Sequence, residues 1–216
     1  DGFSLIPSKD AAHRPAKQSE LKNILETIRV GLKRGGLAVG FGLQYTPAAS
    51  RAEIIEAFKI AKSFSAPCHV HIRGMGNPPD QGNKLGAIES IQEVIANATI
   101  TGAALHVVHI SSVGLSVTED LLEIVEKASL NGLDITTECY PYAAGMTLIE
   151  SAIFDDGWQG NLGVNYEDLL WPSTGEVLNK SSFEKYRAEG GMVVVNFIPE
   201  TSVIASVKSS LTSIAT

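Results

Sequence analysis

The chain has 216 residues and a mass of 22.9 kDa, and 44% of its residues are hydrophobic, which is enough to bury one sizeable core. Its formal net charge is −7 and it has no basic run, so we expect neither a nucleic-acid partner nor an anionic membrane partner. No uninterrupted apolar stretch reaches the roughly 18 residues of a membrane span, and two cysteines are too few for a disulfide framework.

The two chain ends look like cut ends. The first ten residues, DGFSLIPSKD, have no initiator methionine and lack the basic and apolar segments of a signal peptide. The last eight residues, SSLTSIAT, stop where an apolar strand is expected to begin. Because both cysteines look reduced, we expect a cytoplasmic protein, and a signal peptide, if there is one, would lie before residue 1.

The first predicted elements are a helix, a short strand and a second helix. Apolar residues recur with helical spacing over 19–36, where Ser19 is the expected N-cap and a Gly-Gly pair ends the helix. The apolar run 37–41 is typical of a buried strand. Ser50 and Glu53 then form a capping box, in which each side chain accepts a hydrogen bond from a free backbone N–H group.

The strand and helix pattern then repeats. We predict strands at 68–72, 104–110 and 134–140 with a helix in each interval, and a second capping box, from Ser116 to Glu119, opens the later helix. The strands start about every 30 to 36 residues, which is typical of successive βα units. They are apolar throughout, as parallel strands covered on both faces are.

After this series the pattern loosens. Segment 141–182 contains both tryptophans and many turn residues, and we interpret it as an elaborated loop over one face of the sheet, with one short helix at 147–154. A helix at 183–191, a strand at 192–197 and a helix at 200–210 follow. No linker interrupts the chain, so we predict one domain over residues 1–216.

Two α/β architectures fit this alternation. One is an open doubly wound sheet, and the other is part of a TIM-type (β/α)8 barrel, which needs about 250 residues when whole. The pattern contains five strands and the start of a sixth, which does not separate the two. Both architectures place functional groups at the carboxyl ends of the parallel strands.

Histidines stand at two such strand ends. His71 ends one strand and His109 ends the next, and adjacent strands lie about 4.8 Å apart, so the two imidazoles could share a zinc ion. The alternative is a pair of hydrogen-bonded core histidines. His69 points the same way as His71, one layer deeper, whereas His106 is expected to face the opposite side from His109. Cys68 faces away and is expected to be a buried apolar residue.

Three further groups of candidates lie near these strand ends. Glu138 is a possible zinc ligand, a possible acceptor that orients a ligand, or a solvated charge. It shares a strand face with Tyr140, and Tyr142 follows. Arg73 either binds a substrate carboxylate with its planar fork or lies in solvent. Neither a phosphate-binding glycine pattern nor a G-x-S-x-G nucleophile elbow is present, which argues against nucleotide binding and serine hydrolase chemistry.

Three segments, VHIR, LHVVHISSVG and TTECYPYAAGMT, together resemble the amidohydrolase superfamily, and most closely its D-aminoacylase-like (N-acyl-D-amino-acid deacylase) branch. The similarity extends over almost the whole chain, including RPAKQSEL, GGLAVGFGLQYTPAA and TGEVLNKSSFEKYRAEGGMVVV. The pair of histidine-containing strands followed by YPY is the most specific part of the resemblance.

The resemblance implies a (β/α)8 barrel with one or two zinc ions that activate water to hydrolyse an amide bond, here that of an N-acyl amino acid. It implies that His71 and His109 are the zinc ligands of the fifth and sixth barrel strands. It also places Tyr140 and Tyr142 in the segment that shapes the substrate site.

The other ligands of the family have no counterpart in this chain, namely the His-x-His of the first strand, the bridging residue of a middle strand and the Asp of the last strand. We therefore expect a central-to-late fragment of a deacylase that is inactive alone, has no assigned catalytic residue, and associates with itself through open barrel edges. The competing hypothesis is a non-catalytic, doubly wound α/β module that binds a small ligand without metal.

Overall fold

The computed structural model describes residue 6 and residues 8–76 and 85–215. Its helices are α1 (Ser8–Ala11), α2 (Gln18–Lys33), α3 (Arg51–Ser63), α4 (Ala87–Thr101), α5 (Ile110–Gly114), α6 (Thr118–Leu130), α7 (Trp158–Leu162), α8 (Lys180–Glu189) and α9 (Glu200–Lys208). Its strands are β1 (Val39–Gly42), β2 (Cys68–His71), β3 (Leu105–Val107), β4 (Ile135–Cys139), β5 (Ala144–Leu148), β6 (Leu169–Trp171), β7 (Glu176–Val177), β8 (Met192–Asn196) and β9 (Thr212–Ile214).

The main sheet contains five parallel strands in the order β1, β2, β3, β4 and β9. This order follows the sequence without a reversal, whereas a doubly wound sheet reverses its strand order at the point where ligands bind. Helices α3, α4, α6 and α9 form a continuous outer layer in which each contacts the next. The prediction of a partial TIM-type barrel is therefore confirmed, and the doubly wound alternative is wrong.

The barrel core lies between the sheet and this helical layer. The side chains of Phe58 in α3, Ile91 in α4 and Leu121 in α6 are fully buried, and they pack in one cluster with Val70 and Val107 on the outward face of the strands. Cys68 lies on the same face with 0% exposure, and burial raises the pKa of its thiol to about 12. Cys68 is thus the buried apolar residue that strand alternation predicted.

Of the three helix N-caps predicted from the sequence, the structure contains one. Ser50 and Glu53 form the predicted capping box at α3. At α2 the helix already starts at Gln18, so Ser19 lies in its first turn and is not the cap. The second predicted capping box does not form, because residues Leu115–Val117 make a 3-10 turn and Thr118 bonds the carbonyl group of Leu115 instead.

A second sheet interrupts the barrel between β4 and β9. It is antiparallel, with strand order β5, β8, β6, β7. The loop predicted over 141–182 therefore contains three of its strands, and the short helix predicted at 147–154 is wrong because residues 144–148 are β5. The strand predicted at 192–197 exists as β8, yet it lies in this sheet and not in the barrel.

The second sheet has its own aromatic core. The rings of Trp158 and Phe183 stack with centroids 5.2 Å apart, and those of Trp171 and Tyr186 stack at 4.2 Å. Phe154 joins the same buried cluster. Because this cluster is separate from the barrel core, the insertion carries much of its own hydrophobic stabilisation.

Within the described residues, the two outer strands of the barrel sheet, β1 and β9, each pair on one side only. Unpaired strand edges of this kind promote pairing with another chain, and self-association through them stays a prediction. No helix in the described part of the chain is both long enough and apolar enough to cross a membrane.

Candidate metal centre

The two predicted metal ligands lie side by side at the carboxyl edge of the barrel sheet. His71 is the last residue of β2, and His109 follows β3. Their ring centroids are 4.4 Å apart and the ring planes are nearly perpendicular, at 83°. Neighbouring parallel strands thus bring the two imidazoles side by side, and a zinc ion shared between them stays a prediction.

The backbone of His109 explains how this contact arises. Strand β3 ends at Val107, and His109 adopts a left-handed conformation with φ 34° and ψ 57° at the start of α5. Such a conformation is uncommon for a residue other than glycine and costs on the order of 1 kcal/mol or more, which the surrounding structure must offset. The turn directs the imidazole of His109 to the face of the sheet that carries His71.

The same turn corrects the prediction for His106. This residue pairs in register with His69, so both lie on the inner face of the sheet, and their rings are in tilted contact with centroids 4.6 Å apart. The prediction assumed that side chains alternate between the two faces from His109 back to His106. Because β3 ends before His109, this count assigned His106 to the wrong face. His106 therefore packs in the barrel interior and not under a helix, and His69 lies one layer below His71, as expected.

Both candidate ligands are held in the neutral form. Burial, and to a smaller extent the proximity of His109, lowers the pKa of His71 to about 3. Burial also lowers the pKa of His109, against smaller opposing effects of a hydrogen bond with its own backbone and of the carboxylate of Glu138. A neutral imidazole has one nitrogen with a free lone pair, which is the form that binds zinc.

Each of these imidazoles has a polar partner. The Nε2 nitrogen of His71 is hydrogen-bonded to the Oε1 oxygen of Gln44, in the loop after β1. The Nδ1 nitrogen of His109 lies 2.8 Å from the hydroxyl oxygen of Ser112, whose own proton is donated to the carbonyl oxygen of His109 at 2.9 Å. Sequence reasoning missed Gln44 and Ser112, although both follow strands whose ends it had placed at this edge.

Glu138, in β4, contacts His106. Its carboxylate is 3.2 Å from Nε2 of His106, and Nδ1 of the same ring is 2.8 Å from the hydroxyl oxygen of Thr136. Both nitrogens of His106 are therefore engaged. Of the three roles considered for Glu138, this contact favours that of a hydrogen-bond acceptor, with His106 as its partner.

The two tyrosines are placed differently. The ring centroid of Tyr140 is 5.4 Å from that of His109, and burial raises the pKa of the Tyr140 hydroxyl group. Tyr142 is 57% exposed and does not line the cavity around the histidines. A role in substrate binding thus fits the position of Tyr140 better than that of Tyr142. Tyr45, which sequence reasoning missed, lies 5.2 Å from His71 between ring centroids.

Arg73 does not offer a free fork to a substrate. Its Nη2 and Nε atoms donate to the two carboxylate oxygens of Glu93 at 2.9 and 3.1 Å, and its Nη1 atom donates to the carbonyl oxygen of Pro47. The side chain is only 10% exposed. The bidentate carboxylate partner expected for Arg73 is therefore a residue of α4, and the arrangement does not support a substrate role.

A small cavity of about 60 Å³ surrounds the histidine pair. Residues of the second sheet, among them Thr147 and Val195, close it from above, and the hydroxyl groups of Tyr45 and Thr147 lie 3.1 Å apart across the two layers. A larger cavity of about 1200 Å³ adjoins it, and four residues line both: Gln44, Met75, Ile153 and Leu162. The larger cavity can hold an organic molecule beside the two imidazoles.

The donor set fits part of a zinc site. Two neutral, half-buried imidazoles at one edge of the sheet are suitable ligands, and a catalytic zinc ion usually has three protein ligands. Among residues 8–76 and 85–215 no group of three or more His, Cys, Asp or Glu side chains could hold a metal ion. The described residues therefore offer two candidate ligands, and zinc binding by them stays a prediction.

Comparison with known proteins identifies similar structures but no similar sequence, since no family model and no curated protein matches the chain. The crystal structure of D-aminoacylase matches with a TM-score of 0.73 and 16% identity, over 94% of this chain and 44% of that one. A D-aminoacylase structure from work on its binuclear metal centre gives 0.74 at 16% identity, over 98% and 44%. N-acyl-D-glutamate deacylase from Bordetella bronchiseptica, bound to zinc and a phosphonate inhibitor, gives 0.72 at 16% identity, over 94% and 44%.

At this identity the comparison shows a shared fold. The chain spans less than half the length of each of these proteins, at 44%. The barrel sheet and its insertion thus share the fold of part of each of these proteins.

Proposed function

We propose that the chain is the central-to-late part of a zinc-dependent amidohydrolase that hydrolyses a non-peptide C–N bond, namely the amide bond of an N-acyl amino acid. The observation that carries the proposal is the pair of neutral histidines, His71 and His109, with ring centroids 4.4 Å apart. They lie at the carboxyl edge of a partial barrel, in a fold shared with D-aminoacylase and with a zinc-bound deacylase.

In the proposed reaction the chain positions a metal ion and covers it. His71 and His109 would hold one zinc ion, and a second ion would need ligands from other parts of the protein. Bound zinc supplies Lewis acidity for the attack of water on the amide carbonyl group. The second sheet limits solvent access from above, and the large cavity beside Gln44 accepts the small-molecule substrate.

We further propose that the isolated chain has little or no hydrolase activity. Its described residues offer two candidate zinc ligands, where a catalytic site usually has three. The residues that complete the site would belong to the remainder of the protein.

Zinc titration tests the proposal. Isothermal titration calorimetry should detect zinc binding to the wild-type chain. His71→Ala and His109→Ala should each weaken the zinc affinity by at least about tenfold, because the loss of a residue that only supports a ligand already has an effect of that size. His13→Ala, which changes an exposed histidine of the N-terminal segment, is the matched control and should bind zinc as the wild type does.

If zinc does not bind, or binds equally well to both variants, the metal hypothesis fails for this chain. The histidine pair would then be a hydrogen-bonded part of the core, and a non-catalytic module that binds a small ligand in the large cavity would be the better description.

A further inference from the structure

We propose that Gln44 and Ser112 are positioning residues that fix opposite tautomers of the two candidate ligands, with the proton on Nε2 of His71 and on Nδ1 of His109. The inference deepens the proposed function, because it identifies which nitrogen of each ring is left to bind zinc. It depends on the hydrogen bonds around each ring, and it also holds for the metal-free protein.

Gln44 determines the tautomer of His71. The amide oxygen of Gln44 faces the Nε2 nitrogen of His71, and an amide oxygen can only accept a hydrogen bond. The Nε2 nitrogen must therefore carry the proton of the neutral ring. The lone pair is then on Nδ1, for which the described part of the chain provides no hydrogen-bond donor.

Ser112 determines the tautomer of His109 by a different route. A serine hydroxyl group has one proton, and we assign that of Ser112 to its hydrogen bond with the carbonyl oxygen of His109, at 2.9 Å, and not to its contact with the Tyr140 hydroxyl group. The Ser112 hydroxyl oxygen can then only accept from Nδ1 of His109, at 2.8 Å. The lone pair of His109 is consequently on Nε2.

Local backbone geometry makes these contacts possible. Ser112 is three residues after His109 in α5, and the left-handed backbone of His109 allows one hydroxyl group to reach both the ring and the carbonyl oxygen. Gln44 is two residues beyond the end of β1, the strand that pairs with the strand of His71. Partners that hold the second ring nitrogen of a ligand histidine fix its tautomer and orientation in metal sites generally.

The test uses nitrogen NMR spectra of the metal-free chain with ¹⁵N-labelled histidine, recorded in the presence of a chelator at neutral pH. These spectra distinguish a protonated from an unprotonated ring nitrogen, and His71→Ala and His109→Ala assign the signals. The wild type should show one tautomer for each ring, with the proton on Nε2 of His71 and on Nδ1 of His109. The reverse tautomer at either ring, or a mixture, would overturn the inference.

Matched variants separate positioning from mere packing. Gln44→Ala should turn the single His71 tautomer into a mixture and leave His109 unchanged, whereas Gln44→Glu, which keeps an acceptor oxygen, should restore the Nε2 proton. Ser112→Ala should affect only His109, and Ser112→Thr should restore its tautomer. If Gln44→Ala and Ser112→Ala keep the wild-type spectra, neither residue positions a ligand.

Zinc affinity provides the second measurement. Gln44→Ala and Ser112→Ala should each weaken zinc binding by about 10- to 100-fold, the usual effect of removing a group that supports a ligand. If the wild-type chain shows the expected tautomers and binds no zinc, the proposed function fails and the positioning role stands. Unchanged zinc affinity in both variants, with zinc bound by the wild type, would refute the role toward the metal.

Discussion

Acidification should destabilise this protein through His71. Its folded pKa is about 3, whereas an unfolded histidine has a pKa of about 6.5. Below pH 6.5 the unfolded state therefore takes up a proton that the folded state does not. The stabilising effect of a neutral His71 is fully present above pH 6.5 and is lost as the pH falls toward 3.

The size of the effect follows from the same two pKa values. Each pH unit below about 6.5 removes close to 1.4 kcal/mol, so His71 alone should lower the free energy of unfolding by about 2 kcal/mol between pH 8 and pH 5. A loss of this size is a large fraction of the stability of an ordinary domain.

Urea unfolding at the two pH values, with a chelator present, measures this loss. The signals are far-UV circular dichroism and the fluorescence of Trp158 and Trp171, so that the barrel and the second sheet are both followed. The loss between pH 8 and pH 5 should be about 2 kcal/mol smaller in His71→Gln than in the wild type, since the comparison cancels pH-independent effects of the substitution. Equal losses in the two proteins, within about 0.5 kcal/mol, would refute the reasoning, and His13→Gln should behave as the wild type.

Two further predictions concern the surroundings of the site, and urea unfolding checks both. Glu93→Ala leaves the charge of Arg73, whose side chain is 10% exposed, without its carboxylate, and should cost about 3–5 kcal/mol. Replacing both partners by apolar residues should cost less than this, and a loss under 1 kcal/mol for Glu93→Ala would contradict the ion-pair argument. Gly74→Ala would place a Cβ atom 2.0 Å from the carbonyl oxygen of Leu85 and should cost about 1–3 kcal/mol or more. Gly40→Ala, where nothing lies within 4 Å, should change stability by less than about 0.5 kcal/mol and is the matched control.

The sequence predicted the part of the site that follows from regular structure. The carboxyl ends of parallel strands meet at one edge, so counting strands was enough to bring His71 and His109 together. The burial of Cys68 follows from the same alternation. These features depend on periodicity, which can be read from one sequence.

The missed features depend on conformations and partners that periodicity does not encode. Nothing in the segment around His109 indicates a left-handed residue, and without it His106 was assigned to the wrong face. The partner of Arg73 is Glu93, 20 residues away and on a different element. The interaction of Gln44 with His71 likewise depends on the path of a loop.

The second sheet was missed for a related reason. The run MVVVN reads as a buried strand whether its neighbours are parallel barrel strands or antiparallel strands of an insertion. In the structure β8 lies between β5 and β6, with Val193 and Val195 fully or almost fully buried. Strand pairing depends on contacts between residues that are distant in sequence, so the apolar run alone does not indicate which strands β8 pairs with.

Thr137 shows what the insertion means for folding. Its hydroxyl group donates to the carbonyl oxygen of Val107, 30 residues back, and its own carbonyl oxygen accepts from Ser213, 76 residues ahead. Since loop-closure entropy grows only with the logarithm of loop length, joining β9 to β4 costs about 0.8 kcal/mol more than joining two successive strands of this barrel. A separately packed insertion of this length therefore reduces the stability of the barrel only slightly. The residues that cover the histidines can change while the barrel strands keep their register.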